Sequence, residues 1–151
     1  MKAIDAAAVE ELLARLEKIG PGTPGLWGRM NSHQMLCHLN DSFGLAMGEK
    51  TASERITWTS RTILRWAALR LPVRWPPDVP TRPEMDPLIG GTRPSDFALD
   101  KKALADSIRR FARRPRDFRF GRHPGFGELS EWEWMRWGYL HSDHHFRQFG
   151  V

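Results

Sequence analysis

Six histidines occur in the chain, at positions 33, 38, 123, 141, 144 and 145, and three of them fall within five residues. On an α-helix, residues four apart are separated by about 40° of rotation, so His141 and His145 share one face. Trp134 and Gly138 lie on that face and Gln148 at its edge, whereas Arg136, Asp143 and Arg147 fall on the opposite, wet side. His144 falls to the flank. Two imidazoles one turn apart on an inward face can bind one divalent cation, the spacing zinc-protease helices use, although the intervening Glu of that motif is missing here. Gly138 costs about 1 kcal/mol in a helix interior relative to alanine, which suggests that space is kept open beside the pair. A catalytic site wants a third protein ligand and an open position for water or substrate. His38, mid-helix beside Met35, Ser42 and Leu45, is the best candidate, and His33, in the first turn of the same helix, reads as exposed. The competing account is that the histidines are hydrogen-bonded core residues. Burying two unliganded imidazoles on one face requires two sets of partners, so from spacing alone metal binding and core packing stand level.

The elements that must carry these residues are helical. Val9, Leu12, Leu13 and Leu16 mark a first amphipathic helix over 3–19, stopped by Gly20-Pro21-Gly22. Asn31, with Gln34 three residues on, caps a second helix running to about Met47-Gly48. A third is expected over 54–70 with Ile56, Ile63, Trp66 and Leu69 facing inward. Residues 71–99 hold most of the chain's eleven prolines. Proline removes backbone donors and fixes φ, so this stretch is neither helix nor central strand, and its length suits a lid over one end of a bundle. Asp100 opens a fourth helix to about Arg114, and Ser130, with Glu133 in the capping-box position, opens a last one to about Phe149. The expectation is an all-α fold, one domain over 1–151, with four principal helices, one extra helix and a long proline-rich loop.

Composition sets outer limits. A hydrophobic fraction of 40% with seven Trp and eight Phe excludes a wholly disordered chain. One cysteine, Cys37, excludes an internal disulfide framework and reads as a small packing residue pointing about 100° away from His38. With no signal-like segment and no membrane-length apolar run, a cytoplasmic address without membrane contact is expected. The sequence singles out no exposed apolar stripe, and a homodimer stays open. Net charge is +5, and Arg109 to Arg122 carries seven arginines against Asp117 alone. The bland account is a solvated surface complementing a helix dipole. The functional ones are an anionic small molecule, with Arg109, Arg110 and Arg113 as its partners, or nucleic acid. Nucleic acid is disfavoured, because nothing resembles a recognition helix and the aromatics read as core.

The pairing of a mid-helix His-Leu-Asn-Asp (38–41) with a terminal His-x3-His-x2-Gln (His141, His145, Gln148) resembles the DinB/YfiT-like metalloenzyme superfamily. More narrowly, HPGFGELSEWEW (123–134) followed by HSDHHFRQFG (141–150) resembles a small bacterial subfamily. The resemblance runs from Trp27 to the end of the chain. It implies a four-helix bundle in up-down-down-up order, and a divalent metal held by His38, His141 and His145. Zinc, nickel, iron, cobalt and manganese are not distinguished by such a ligand set. Asn40, Asp41 and Gln148 are within sequence reach for orienting the rings, and His144, His123 and Trp134 are pocket candidates, although His123 reads first as a loop anchor. Relatives of this type use low-molecular-weight thiols in transferase and isomerase reactions on small-molecule substrates. Metal-dependent hydrolysis of a small molecule, and a metal-free bundle binding a partner or nucleic acid through Arg109–Arg122, are the alternatives.

Overall fold

Among the described residues, 1–77 and 79–151, the computed structural model has five α-helices and no strand. They are α1 (Ala6–Glu17), α2 (Ser32–Ala46), α3 (Arg65–Arg70, entered through a π-helical turn, Ser60–Leu64), α4 (Phe97–Ala112) and α5 (Glu131–Gln148). Asp5 and Asp96 cap α1 and α4 by accepting from the backbone N–H three residues on. Asn31 and Ser130 cap α2 and α5, each with a reciprocal bond from the N3 side chain, Gln34 and Glu133. Those boxes satisfy backbone donors that a helix start leaves orphaned.

Cross-helix pairs fix the order. Tyr139 donates to Glu11 and Arg15 pairs with Asp143, so α1 and α5 run parallel. His33 with Asp100 and Ser107 with Asn40 make α2 and α4 parallel. Lys101 Nζ reaches Glu17, while Ala6 and Val9 share a groove with Arg109 and Arg113, so α1 and α4 are antiparallel. His38 meets His141, and Phe43 approaches Gly138, which sets α2 against α5 in the opposite sense. The bundle is therefore up-down-down-up, with Leu12, Leu39, Phe43, Ile108, Phe111 and Phe146 in a closed core.

Four expectations change, at the third helix, the start of the fourth, Arg136 and Gly138. The third helix begins later than residue 54 and buries only Leu69; Ile63 and Trp66 are 53% and 58% exposed. With Trp58 and Leu64 they form an apolar surface that helical periodicity, which assumes a buried face, cannot distinguish from core. The fourth helix is opened by Asp96, leaving Asp100 in its first turn. Arg136 is buried rather than wet, donating from Nε to the carbonyl of Leu69 and from Nη1 to that of Lys2, at the place where two backbone segments need a donor.

Gly138 is packed against the core and does not hold open space beside the histidines. A Cβ there would lie 2.9 Å from Ile4 Cδ1, 3.0 Å from Phe111 Cε1 and 3.5 Å from Phe43 Cε1. Gly138→Ala gains about 1 kcal/mol of helix propensity but overpacks a rigid ring contact costing about 1–3 kcal/mol. The expected result is a net loss of roughly 1 kcal/mol, seen as a Tm lower by about 2–4 °C in a thermal melt. Cation affinity should not change, whereas a space-keeping glycine would predict the reverse pattern.

Candidate metal centre

α2 and α5 bring His38, His141 and His145 together. His141 Nε2 lies 3.2 Å from His38 Nε2 and 3.1 Å from His145 Nε2. His38 and His145 are 4% and 6% exposed, and His141 is the one ring of the three with appreciable solvent-facing surface. The Trp137 and Trp75 rings flank it, at centroid distances of 4.7 and 6.1 Å.

Hydrogen bonding decides where the lone pairs point. His38 Nδ1 is 2.8 Å from the carbonyl of Met85, a group that only accepts. His38 therefore carries its proton on Nδ1, leaving Nε2 as a free lone pair. Gln148 Nε2 donates to the carbonyl of Trp27 at 2.7 Å, which orients the amide so that Oε1 faces His145 Nδ1 at 2.8 Å. His145 is thus held in the same tautomer. Two lone pairs aim at one point beside His141, whose single Nε2 proton can serve only one of them. Burial lowers the pKa of all three imidazoles, and mutual repulsion lowers that of His141 and His145 further, so the site is neutral at pH 7.

That donor set fits a cation. Metal–nitrogen bonds of about 2.0–2.1 Å at tetrahedral angles separate ligand atoms by about 3.3–3.4 Å, close to the spacings found. A buried His cluster of this kind could hold a metal ion.

The remaining candidates divide. Gln148 touches His145. His144 sits against His145 and Trp27, at ring distances of 5.1 and 5.9 Å, and its buried Nδ1 has no hydrogen-bond partner among the described residues. His123 Nδ1 accepts the N–H groups of Gly125 and Phe126, closing the turn before α5, and burial lowers its pKa to about 3. Trp134 is fully buried between Phe120, His123 and Trp137, so it is core and not pocket wall. Asn40 is bonded by Ser107, and Asp41 by Lys50 and by Thr92, so both tie α2 to neighbouring chain and neither orients a ring.

Arg109, Arg110 and Arg113 are not brought to the histidines. They line a separate surface groove with Asp106 and Glu10, and Arg109 pairs with Asp106, Arg110 with Glu49 and Asp117. Within the run the sequence shows Asp117 alone, whereas Glu49, Glu54 and Glu131, which pair with Arg110, Arg122 and Arg114, come from elsewhere in the chain.

Gly28, Trp27, Trp75 and Met85 are site residues that side-chain spacing missed. Gly28 has φ +80°, and a Cβ there would stand 2.5 Å from Gln148 Nε2. Gly28→Ala should push Gln148 off His145 and cut cation affinity by roughly 10–100-fold, the usual effect of losing an orienting partner. Isothermal titration of the apoprotein checks it; unchanged affinity would mean that the Gln148 contact is idle.

The model of a family described as "Protein of unknown function (DUF1569)" matches residues 2–150. No curated protein and no solved structure matches the chain. No helix among the described residues is long and apolar enough to cross a membrane.

Proposed function

For a chain that belongs to the DUF1569 family along nearly its whole length, we propose a divalent-metal-dependent enzyme of the DinB/YfiT-like type, acting as one cytoplasmic domain on a small-molecule substrate. The observation that carries this is the pair of fixed tautomers, His38 and His145, whose free Nε2 lone pairs converge beside His141. His38, His141 and His145 are the proposed ligands. A divalent cation bound there supplies Lewis acidity, lowering the pKa of a thiol or water at an open position and so making a nucleophile at neutral pH.

The chain's own part is to hold and screen. Met85 and Gln148 keep two rings from turning, and Trp75 and Trp137 cover His141, limiting water beside the reacting atoms. Trp75 also borders a groove of about 240 Å³ lined by Lys2, Arg74, Arg136 and Arg147. Lys2, Arg136 and Arg147 already bond Glu11, two backbone carbonyls and Asp143, so a low-molecular-weight thiol's carboxylates are proposed to meet this groove first at Arg74. Transfer of such a thiol to an electrophilic small molecule is therefore favoured over hydrolysis. The intramolecular pairing of the basic run leaves little charge for nucleic acid.

The test is thiol consumption against a panel of small electrophiles, with glutathione and uncharged 2-mercaptoethanol compared. Cation-dependent turnover that His141→Ala abolishes, with a higher KM for the uncharged thiol, is expected. Cation-dependent ester cleavage without thiol consumption would replace the transferase with a hydrolase.

A further inference from the structure

On the other side of α2, one turn of helix and one interhelical contact assemble a second, chemically different cluster. His33 and Cys37 stand four residues apart, hence on one face, and that face meets the first turn of α4. His33 Nε2 is 2.7 Å from Asp100 Oδ2, and Cys37 Sγ is 3.7 Å from the same oxygen. One nitrogen, one sulfur and one carboxylate oxygen all lie within 4.8 Å of one another. Cys37 is 3% exposed, while His33 and Asp100 are each about one-fifth exposed. The Phe97 ring leans on His33 at 5.3 Å, and the backbone N–H of Ser95 donates to Asp100 Oδ2 at 3.1 Å.

We propose that His33, Cys37 and Asp100 form a second divalent-cation site, selective for borderline-soft ions such as zinc, cobalt or cadmium, that clamps α2 to α4. It is independent of the histidine centre, sharing no ligand with it.

Charge and softness both support the assignment. Thiolate, carboxylate and neutral imidazole together carry −2, so a divalent ion is neutralised within the pair of helices. Three imidazoles leave their cation with its full charge. A neutral, half-closed site is a structural clamp, and the sulfur selects against magnesium and calcium, which take oxygen ligands. Loading breaks the Cys37 S–H bond heterolytically. The sulfur's electron pair bonds the ion, the proton leaves to buffer, and nothing is oxidised or reduced. Metal–nitrogen and metal–oxygen bonds of about 2.0–2.1 Å at tetrahedral angles ask the His33–Asp100 contact of 2.7 Å to widen by roughly 0.6–0.7 Å. Both are part-exposed side chains near helix starts, where such a shift meets little packing.

Cys37 is the only cysteine, so sulfur ligation has a single source. Chelator-stripped protein without a polyhistidine tag is titrated with cobalt(II). Two equivalents should bind, and a near-ultraviolet thiolate-to-cobalt charge-transfer band should grow with one of them. Cys37→Ala should lose that band and one equivalent while keeping the visible ligand-field band of the histidine centre, which also reports that the variant is folded. Asp100→Asn, a milder change, should weaken the charge-transfer titration by roughly tenfold or more. His141→Ala should leave it intact. Cobalt binding with no thiolate band in the unmodified protein, or an undiminished band in Asp100→Asn, overturns the proposal.

Discussion

His141→Ala is expected to lower divalent-cation affinity by roughly 10²–10³-fold while leaving the cation-free protein close to its original stability. The first half follows from position, because His141 Nε2 is the atom that lies 3.1–3.2 Å from both other ring nitrogens. Site energies of about 10–16 kcal/mol spread over four ligands make one imidazole worth about 3–4 kcal/mol. The second half follows from the conflict at the same atom. Without a cation, its one proton cannot satisfy two lone pairs, and the ring is part-exposed, so little is lost with it. Calorimetry separates the two halves. A cation at about a thousand times its Kd adds about 4 kcal/mol to the unmodified protein, or about 8–16 °C in Tm. His141→Ala should lose that increment. Running Cys37→Ala alongside assigns any residual shift to the second cluster, and an undiminished shift in His141→Ala would sink the ligand assignment.

Acid should unfold the cation-free protein abruptly. In the fold, burial holds the pKa of His38, His141 and His145 below the ordinary 6.5, and that of His123 at about 3. The unfolded chain protonates at the ordinary value. Below pH 6.5 the unfolded state thus binds more protons than the folded one, and stability falls with pH by about 1.4 kcal/mol per unit for each such histidine. The contributions add wherever the pH lies between the folded and unfolded values of several of these histidines, so the loss is steeper than any one of them would give. Circular dichroism from pH 7.5 to 4.5 should show full stability above pH 6.5 and a steep transition within about two units below it. Cation loading should move the midpoint to lower pH, since the loaded rings are also unprotonated. A transition that ignores the cation would separate the acid lability from the histidine centre.

The i, i+4 pair on α5 and both capping boxes are legible in sequence because they are local, set by helical geometry within one or two turns. The four amphipathic stretches make a bundle legible, whereas the up-down-down-up order was implied only by the family resemblance, since such stretches can close a core in more than one order. Contacts made by backbone are illegible, since the carbonyls of Met85 and Trp27 have no side-chain signature. Gly138 misled for a related reason: a missing side chain reads as space, and only packing shows that Phe111 and Ile4 already occupy it. Ile63 and Trp66 have the right spacing for a buried face but no partner element to bury them. The second cluster was hidden because Asp100 lies 63 residues from Cys37 and was read as a helix-opening residue.

The hydrogen bond from His38 to the Met85 carbonyl comes from inside the proline-rich excursion, at a 3-10 turn over Pro83–Met85. Whatever loosens that turn lets the imidazole rotate, and thermodynamic reciprocity requires that filling the histidine centre tighten the turn by the same free energy. The amides of Met85, Asp86, Ile89, Gly90 and Gly91, which bond back on Arg82, Pro83 and Asp86, should therefore exchange hydrogen more slowly in loaded protein. A segment without regular secondary structure would then act as the protein's own gauge of whether its ion is in place.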